Sequence, residues 1–257
     1  MIENIKYFEC ISTDSTNLEV VRRFDEMTDA DRARYGLFVA SADFQSAGRG
    51  QRGNSWESAE GSNLLFSILF FPQSVSVTHQ FRLSQAMALA VCNSLNKLKD
   101  GFKIKWPNDI YYGEKKISGT IIETTWRGSM VDRCILGVGI NVNQQSFKSG
   151  APNPISLFNI VGKETDRRQL LGTIVADFCR ELQALCQGGE AELARRYNEK
   201  LIWKYGVHRY RDCEGEFYAR FADVEPDGHL VLVDENENLR SYMFKEVKHI
   251  FNDMECI

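Results

Sequence analysis

Residues 102–143 constrain the fold most strongly, because apolar stretches alternate there with turns too short to hold a helix. The stretches read FKIKW, then DIYYGEKKISGTIIE with a turn at Gly113-Glu114, then RCILGVGINVN after Arg127-Gly128-Ser129. Strands that follow one another this closely usually pair side by side. We therefore predict an antiparallel meander, with the apolar runs 37–42 and 64–71 as further strands.

Helices are predicted where apolar residues return at helical spacing. Thr16 to Glu19 has the spacing of a capping box, which predicts a helix that starts at Thr16. Thr78 is a second predicted cap, and either Thr165 or Asp166 is a third. Each is followed by a pattern that predicts an amphipathic helix packed on the core.

The sequence pattern changes after Gly206, where short stretches of alternating apolar and polar residues are separated by turn residues. This spacing predicts a small β-barrel. The chain is thus expected to be an α+β protein with a mixed or antiparallel sheet and packed helices. We assign residues 1–205 to a main domain and residues 206–257 to the barrel.

Composition narrows the class of protein. The chain has 257 residues, of which 43% are apolar and 26% charged, as in ordinary globular domains. Its start lacks a secretory pattern, and the longest apolar run, 64–72, is far shorter than the roughly 20 residues of a membrane helix. Seven cysteines without ligand spacing predict reduced thiols and no metal site. A net charge of −4 does not favour nucleic acid. We expect a cytoplasmic protein without membrane contact.

A glycine-rich loop follows the second predicted strand. Gly48, Gly50 and Gly53 alternate there with Arg49 and Arg52. Glycines let a backbone approach a ligand and expose N–H donors, and arginines bind phosphate or carboxylate. The pattern fits neither a Walker A loop nor a dinucleotide fingerprint. Composition alone favours an anion site and a mobile loop about equally.

The segment Lys105-Trp-Pro-Asn-Asp109 ends a short predicted strand, and Lys116 lies near the start of the strand that follows the Gly113 turn. In isolation this segment is typical of an edge strand with solvated lysines and an Asn-Asp turn. Pairing across the Gly113 turn could instead bring Lys116 near Lys105 and Asp109. Two cations and a carboxylate would then surround one anionic ligand.

Two glycines interrupt the apolar strand Gly137-Val-Gly-Ile-Asn-Val-Asn143. Glycine in a strand often marks close approach of another backbone or a flat ligand. A β-bulge is the simpler interpretation, and for this segment alone the better one.

Taken together and in this order, the segments resemble the biotin protein ligase family. No single motif is specific, but the KWPND segment combined with the GRG loop is. The resemblance covers residues 12–143 and rests on the following positions: Ser15-Thr16-Asn17, Gln45, Gly48-Arg49-Gly50, Trp56, Gly61, Asn63-Leu64, Ser67, Lys105 to Asp109, Lys116, Gly119, and Gly137 with Gly139-Ile140-Asn141.

The resemblance implies a fold and a reaction. The fold is a class II synthetase-like catalytic domain followed by an SH3-like barrel. The enzyme makes biotinyl-5′-AMP from biotin and ATP with Mg²⁺, then transfers biotin to a lysine of a biotin carboxyl carrier protein domain. A homodimer is possible, and no protein ligand for the metal is assigned.

Site residues follow from the resemblance position by position. Those implied for catalysis are Arg49, Lys105, Asp109 and Lys116. Those implied for biotin are Ser15, Thr16, Asn17, Gln45, Gly48, Arg49, Gly50, Lys116, Gly119, Gly137 and Gly139. Those implied for ATP are Arg49, Arg52, Trp56, Lys105, Asn108 and Asn141.

The resemblance also implies particular roles. Ser15, Thr16 and Gln45 would bind the ureido ring, Lys116 the carboxylate of biotin and Lys105 the phosphate. Trp56 and Asn141 would flank adenine. Asp109 is the candidate acceptor for the proton of the incoming lysine.

Two positions depart from the family pattern. Gln51 and Asn54 stand where many relatives carry arginine, which predicts easier escape of the adenylate. Ser15 also lies too near the start for a DNA-binding helix-turn-helix to precede it, so operator binding is not expected.

Two alternatives stay open. One is a lipoate or octanoate ligase or transferase of the same superfamily, whose transferase branch needs a cysteine nucleophile. Cys134 is the obvious candidate, but it lies in a strand pattern without a nearby histidine. The other is a non-catalytic biotin-binding homologue.

Overall fold

Seven strands form the larger sheet of the chain, whose computed structural model describes residues 4–48, 50, 56–72, 74–148 and 153–251. The order is β1-β2-β3-β7-β6-β5-β4, with β1 parallel to β2 and all other neighbours antiparallel. The predicted meander from β4 to β7 is confirmed. The strands are β1 (Ile5–Thr13), β2 (Leu37–Gln45), β3 (Leu64–Phe70), β4 (Phe102–Lys105), β5 (Asp109–Tyr112), β6 (Lys115–Arg127) and β7 (Met130–Ile140).

Six helices accompany this sheet in the described ranges: α1 (Thr16–Asp25), α2 (Asp29–Arg32), α3 (Phe81–Asn96), α4 (Leu157–Val161), α5 (Arg167–Cys186) and α6 (Glu190–Lys200). Successive strand residues point to opposite faces. Val39, Ile68 and Leu136 join the larger core with α3, α5 and α6, while the alternate residues join a smaller core under α1. None of these helices has the length and apolar character that crossing a bilayer requires.

A second, five-stranded sheet closes the chain, in the order β11-β10-β9-β8-β12. All its neighbours are antiparallel, as expected for an SH3-like barrel. The α+β class is therefore confirmed, while the division between residues 205 and 206 stays a prediction. The strands are β8 (Val207–Arg211), β9 (Glu216–Val224), β10 (Leu230–Asp234), β11 (Leu239–Tyr242) and β12 (Lys248–His249).

The helix starts agree with the sequence only in part. α1 begins at Thr16, but the predicted capping box is wrong, because Glu19 pairs with Arg22 and Arg23 one turn later. The cap comes from β2 instead: the backbone N–H of Thr16 donates to Oε1 of Gln45 at 2.7 Å. A distant side chain therefore satisfies a helix-terminal donor.

Two other helix starts were predicted from caps. Asp166 accepts from the backbone N–H groups at the start of α5, as one of the two predicted alternatives requires. Thr78 does not cap α3, which begins at Phe81 after the 3₁₀ turn Val77–His79.

Candidate functional site

Glycines form a flat floor in the middle of the larger sheet. Gly119 of β6 and Gly139 of β7 are direct cross-strand partners. The indole of Trp56 lies against this floor: a Cβ added to Gly139 would stand 2.6 Å from Cε2 of Trp56, and one added to Gly119 would stand 3.2 Å from Cζ3. Only glycine at position 139 admits the ring in this place. A backbone or a flat ligand was expected to approach this strand, whereas at Gly139 the side chain of Trp56 lies there.

Gly137 has a different neighbour. A Cβ there would overlap the side-chain amide of Asn17, so the missing side chain makes room for α1. The β-bulge interpretation is wrong for this segment, because the register from Ser67–Gly137 to Leu65–Gly139 runs without a shift.

A chain of polar side chains crosses the same face of the sheet. Thr16 Oγ1 donates to Oε1 of Gln45 at 3.0 Å and lies 2.7 Å from Ser67 Oγ, which donates its one hydrogen to Asn17 Oδ1 at 2.5 Å. Asn17 Nδ2 then donates to Glu123 at 2.8 Å. The chain therefore joins α1 to β2, β3 and β6.

This chain fixes the orientation of the Gln45 amide. A backbone N–H can only donate, so the Gln45 atom that faces the N–H of Thr16 must be the oxygen. The amide nitrogen consequently points away from Thr16, and an added Cβ at Gly48 would stand 3.3 Å from it. Gln45 thus offers its N–H donors beside Gly48 of the glycine loop.

Charged groups gather at one end of the floor. Lys116 Nζ donates to Asp109 Oδ2 at 2.7 Å, across the β5–β6 hairpin. The same Nζ lies 5.9 Å from the centroid of the Trp56 ring. A register shift after Ile110 brings Lys116 opposite Tyr111, on the same side as Asp109. The predicted approach of Lys116 and Asp109 is therefore confirmed.

Lys105 belongs to the same group. It pairs with Asp109 in the β4–β5 register, and its Nζ lies 5.6 Å from the centroid of the Tyr111 ring. The pKa of Lys105 is lowered overall. Burial is the largest cause, Asp109 acts in the opposite direction, and Lys116 lowers the pKa further. β4 is an edge strand as predicted, but only Lys103 is solvated; Lys105 is half-buried.

Distant parts of the chain hold the turn between β4 and β5. Trp106 Nε1 donates to the carbonyl of Gly228 at 3.0 Å, and the Tyr197 hydroxyl donates to the carbonyl of Pro107 at 2.5 Å. Asn108 is buried and donates to Ser84 Oγ at 3.0 Å. Its assignment to ATP stays a prediction.

Asn141 also lies in the interior of the site. Its Nδ2 donates to the carbonyl of Ile155 at 3.1 Å. Because the N–H of Ile155 donates to the carbonyl of Lys116, Asn141 supports a segment that runs beside the start of β6. A role at adenine stays a prediction.

The stem after the glycine loop is anchored by Gln144, a residue that the sequence did not single out. Gln144 Oε1 accepts from Asn63 Nδ2 at 2.6 Å and from the N–H of Ala59, while Gln144 Nε2 donates to Glu57. The N–H of Trp56 donates to the carbonyl of Gly48 at 3.1 Å. The stem thus holds Trp56 over the floor.

The arginines of the glycine loop, Arg49 and Arg52, lie outside the described residues, as do Gln51 and Asn54. Their predicted contacts with anions stay predictions. Among the implied site residues that are described, the structure brings these together on one face: Thr16, Asn17, Gln45, Gly48, Trp56, Lys105, Asp109, Lys116, Gly119, Gly137 and Gly139. Ser15 stands at the start of α1 and is buried, and Gly50 is half-buried.

Comparison with known proteins identifies this arrangement. Residues 8–141 match the biotin/lipoate A/B protein ligase family, and this stretch contains every site residue that the sequence motifs implied. The chain belongs to that family. The family assignment implied by the sequence motifs is confirmed.

Individual relatives agree with the assignment. The bifunctional ligase/repressor BirA of Escherichia coli is 30% identical over 191 residues, which cover 73% of this chain and 56% of that protein. The biotin–[acetyl-CoA-carboxylase] ligase of Paracoccus denitrificans is 27% identical and is covered to 91%. The chain spans between 56% and 64% of the length of four BirA relatives that it matches.

A solved structure extends the match to the whole fold. Biotin protein ligase from Aquifex aeolicus in complex with biotin and ATP superposes with a TM-score of 0.77 at 25% identity. The match covers 95% of this chain and 99% of that one. The C-terminal sheet is therefore part of a shared architecture.

Proposed function

We propose that this chain is an ATP-dependent biotin protein ligase. It joins biotin and MgATP to biotinyl-5′-AMP with release of pyrophosphate, then transfers biotin to a lysine of a biotin carboxyl carrier protein domain. The observation that carries the proposal is the group of Lys105, Asp109 and Lys116 at the end of a glycine floor. The relatives named for biotin ligation support it.

The first half-reaction is limited by electrostatic repulsion. A carboxylate oxygen of biotin must attack the α-phosphorus of ATP while pyrophosphate leaves. Two like charges about 4 Å apart repel by roughly 4 kcal/mol at an effective dielectric of 20. Lys116 is suited to the carboxylate and Lys105 to the phosphate, and half-burial strengthens both interactions.

Magnesium would enter with the triphosphate, where it neutralises charge on the phosphate oxygens. Such an ion needs only one or two protein carboxylates beside the phosphates. In the part of the chain that the structure describes, the one cluster of three ligating side chains is Glu225, Asp227 and His229 in the barrel. The residues of the candidate site are therefore compatible with a magnesium ion that is held mainly by the substrate.

The second half-reaction requires a neutral lysine amine. The amine attacks the acyl carbon, the bond to AMP breaks, and one proton leaves the nitrogen. A free lysine has a pKa near 10.4, so a proton acceptor accelerates this step. Asp109 is the carboxylate nearest the two lysines, and its pairing with Lys116 holds it in place.

The polar chain supports recognition of the ureido ring of biotin. Gln45 offers amide donors, and its oxygen is already engaged by Thr16. Trp56 supplies an apolar surface over the glycine floor, and its buried Nε1 has no acceptor among the described residues. A bound ligand with an acceptor atom would satisfy it.

The transferase alternative is less well supported. Cys134 is buried in β7, and burial raises the pKa of its thiol, so the reactive thiolate is disfavoured. The homodimer, the cytoplasmic location and the lack of nucleic-acid binding stay predictions.

Incubation with a purified carrier domain tests the proposal. With biotin and MgATP, we expect mass spectrometry to show one biotinyl group on one lysine of the carrier, with release of pyrophosphate. Parallel reactions with lipoate and octanoate should give none. Transfer of lipoate in preference to biotin would support the alternative ligase, and binding of biotin without ATP turnover would support the non-catalytic one.

A further inference from the structure

An aromatic cluster joins the barrel to the larger sheet. Trp203, which follows α6, stacks on His208 with ring centroids 4.7 Å apart and planes 2° apart. His249 and Phe251 each lie 5.0 Å from the same indole. We call Trp203, His208, His249 and Phe251 the C-terminal aromatic cluster. It lies at the junction between α6 and β8.

The last strand of the barrel places two rings of this cluster. His249 pairs with Tyr210 of β8, and the N–H of Ile250 donates to the carbonyl of Arg209 at 3.0 Å. Residues 249 and 251 alternate with Ile250 and therefore point to the same side. The bond of Ile250 thus anchors the chain next to Phe251, beyond the end of β12.

Phe251 reaches from the cluster to the functional site. Its ring stacks on Tyr111 of β5, with centroids 5.8 Å apart and planes 17° apart. Tyr111 in turn lies under the Lys105 ammonium, whose Nζ stands 5.6 Å from the ring centroid. Three residues therefore form one continuous contact from the barrel to a lysine of the site.

This contact restricts the side chain of Lys105. β4 is the edge strand of the sheet, and its outer side is paired only at Ile104, which bridges to Leu201 and accepts from the N–H of Ile202 at 2.8 Å. A lysine side chain is long and flexible, and an aromatic face attracts its ammonium. The orientation of the Tyr111 ring then decides where the ammonium stands. Phe251 fixes that ring.

We propose that Phe251 is a positioning residue for Lys105, acting through the ring of Tyr111. The inference rests on the proposed function, because Lys105 is there assigned to the phosphate of ATP. The barrel is accordingly a working part of the adenylation site. Loss of the Phe251 ring should weaken use of ATP and leave use of biotin largely intact, since the polar chain around Gln45 does not touch Phe251.

Steady-state pyrophosphate release by the full-length protein tests this inference. ATP and biotin are varied separately for wild type, Phe251→Ala, Phe251→Leu and Phe251→Tyr. We expect Phe251→Ala to lower kcat/KM for ATP roughly tenfold with little change in KM for biotin. Phe251→Leu, which keeps apolar volume but not the ring, should show the same selective loss. Phe251→Tyr should restore it.

Leu239→Ala serves as the matched control, because Leu239 is an exposed apolar residue of the same barrel. It should behave as wild type in both substrates. Equal losses for ATP and biotin in Phe251→Leu would indicate general damage and overturn the inference. Wild-type kinetics in both Phe251→Ala and Phe251→Leu would overturn it as well, while leaving the ligase proposal intact. If wild type releases no biotin-dependent pyrophosphate, the ligase proposal fails too.

Discussion

Lys116 Nζ lies 2.7 Å from Asp109 Oδ2, and a register shift within the β5–β6 hairpin makes this contact possible. With an unbroken register, Lys116 would fall on the opposite face of the sheet from Asp109, since side chains alternate in a strand. The extra residue in β6 therefore turns the lysine toward the glycine floor. The pair gives two opposite charges at the place where an anionic substrate is proposed to react.

Replacement of Asp109 by asparagine should slow carrier biotinylation by about 100-fold, the range expected for loss of a proton acceptor. The initial rate is measured by mass spectrometry of the carrier. Asp132→Asn is a suitable control, because Asp132 forms an ion pair with Arg127 at the exposed hairpin tip. A normal rate in Asp109→Asn would eliminate the proposed role.

Alanine at position 139 should displace Trp56, because the new Cβ would stand 2.6 Å from the indole. We expect a loss of about 1–3 kcal/mol in the free energy of unfolding, as for other overpacked sites, and reduced pyrophosphate release. Gly172→Ala provides the comparison: nothing lies within 4 Å of an added Cβ there. Because Gly172 lies within α5, Gly172→Ala should raise the free energy of unfolding by roughly 0.5–1 kcal/mol. Urea unfolding measures the stability of both variants. A Gly139→Ala protein with the stability of wild type would contradict the close packing of Trp56 on Gly139.

Valine in place of Thr16 keeps the side-chain shape but removes the hydroxyl that links Gln45 to Ser67. The buried Ser67 hydroxyl then loses a polar contact, which should cost about 1–3 kcal/mol in stability. A less firmly oriented Gln45 amide should raise KM for biotin by roughly tenfold, equivalent to about 1.4 kcal/mol. Thr16→Ser retains the hydroxyl and should stay close to wild type. The same KM for biotin in Thr16→Val and Thr16→Ser would argue against an orienting role of the Thr16 hydroxyl.

Acid should destabilise the protein through His249. Burial is the main cause that lowers the pKa of this imidazole to about 3, from an ordinary value near 6.5. The unfolded chain therefore takes up a proton below pH 6.5 that the folded chain does not. The free energy of unfolding should consequently fall by about 1.4 kcal/mol between pH 7.5 and pH 5.5 on account of this group.

His249→Phe tests that attribution by urea unfolding at the two pH values. It should abolish this part of the acid sensitivity. His229 gives a control of opposite sign, because Asp227 raises the pKa of His229 and its stabilisation is lost as pH rises. His229→Gln should therefore make the protein relatively less stable at the lower pH. Identical acid sensitivity in His249→Phe and wild type would rule out the assignment.

The meander could be predicted from sequence because its strands are local and its turns short. Gly113 and Gly128, both with positive φ, mark two of those turns, and the apolar runs between them specify the strands. The hairpin that brings Lys116 near Asp109 could be anticipated for the same reason, but the register shift that turns Lys116 to the same face could not. The motifs implied the remaining site members only through resemblance.

Contacts between distant parts of the chain could not be predicted. Nothing near Gln45 indicates that it caps α1, and the sequence around Glu123 gives no sign of its bond to Asn17. Gly137 was expected to approach a backbone or a ligand, yet the Asn17 amide lies over it. These pairings depend on tertiary packing, which overrides the local pattern.

The supports of the KWPND turn have a consequence for how the protein becomes active. The hydroxyl of Tyr197 donates to the carbonyl of Pro107, 90 positions away in the chain. The indole of Trp106 donates to the carbonyl of Gly228, 122 positions away. Contacts that close such long stretches form slowly during folding. A nascent polypeptide that has emerged only as far as α6 has no acceptor for the Trp106 indole. We therefore expect the charge-bearing turn to gain its final geometry late in biosynthesis, once the barrel has docked.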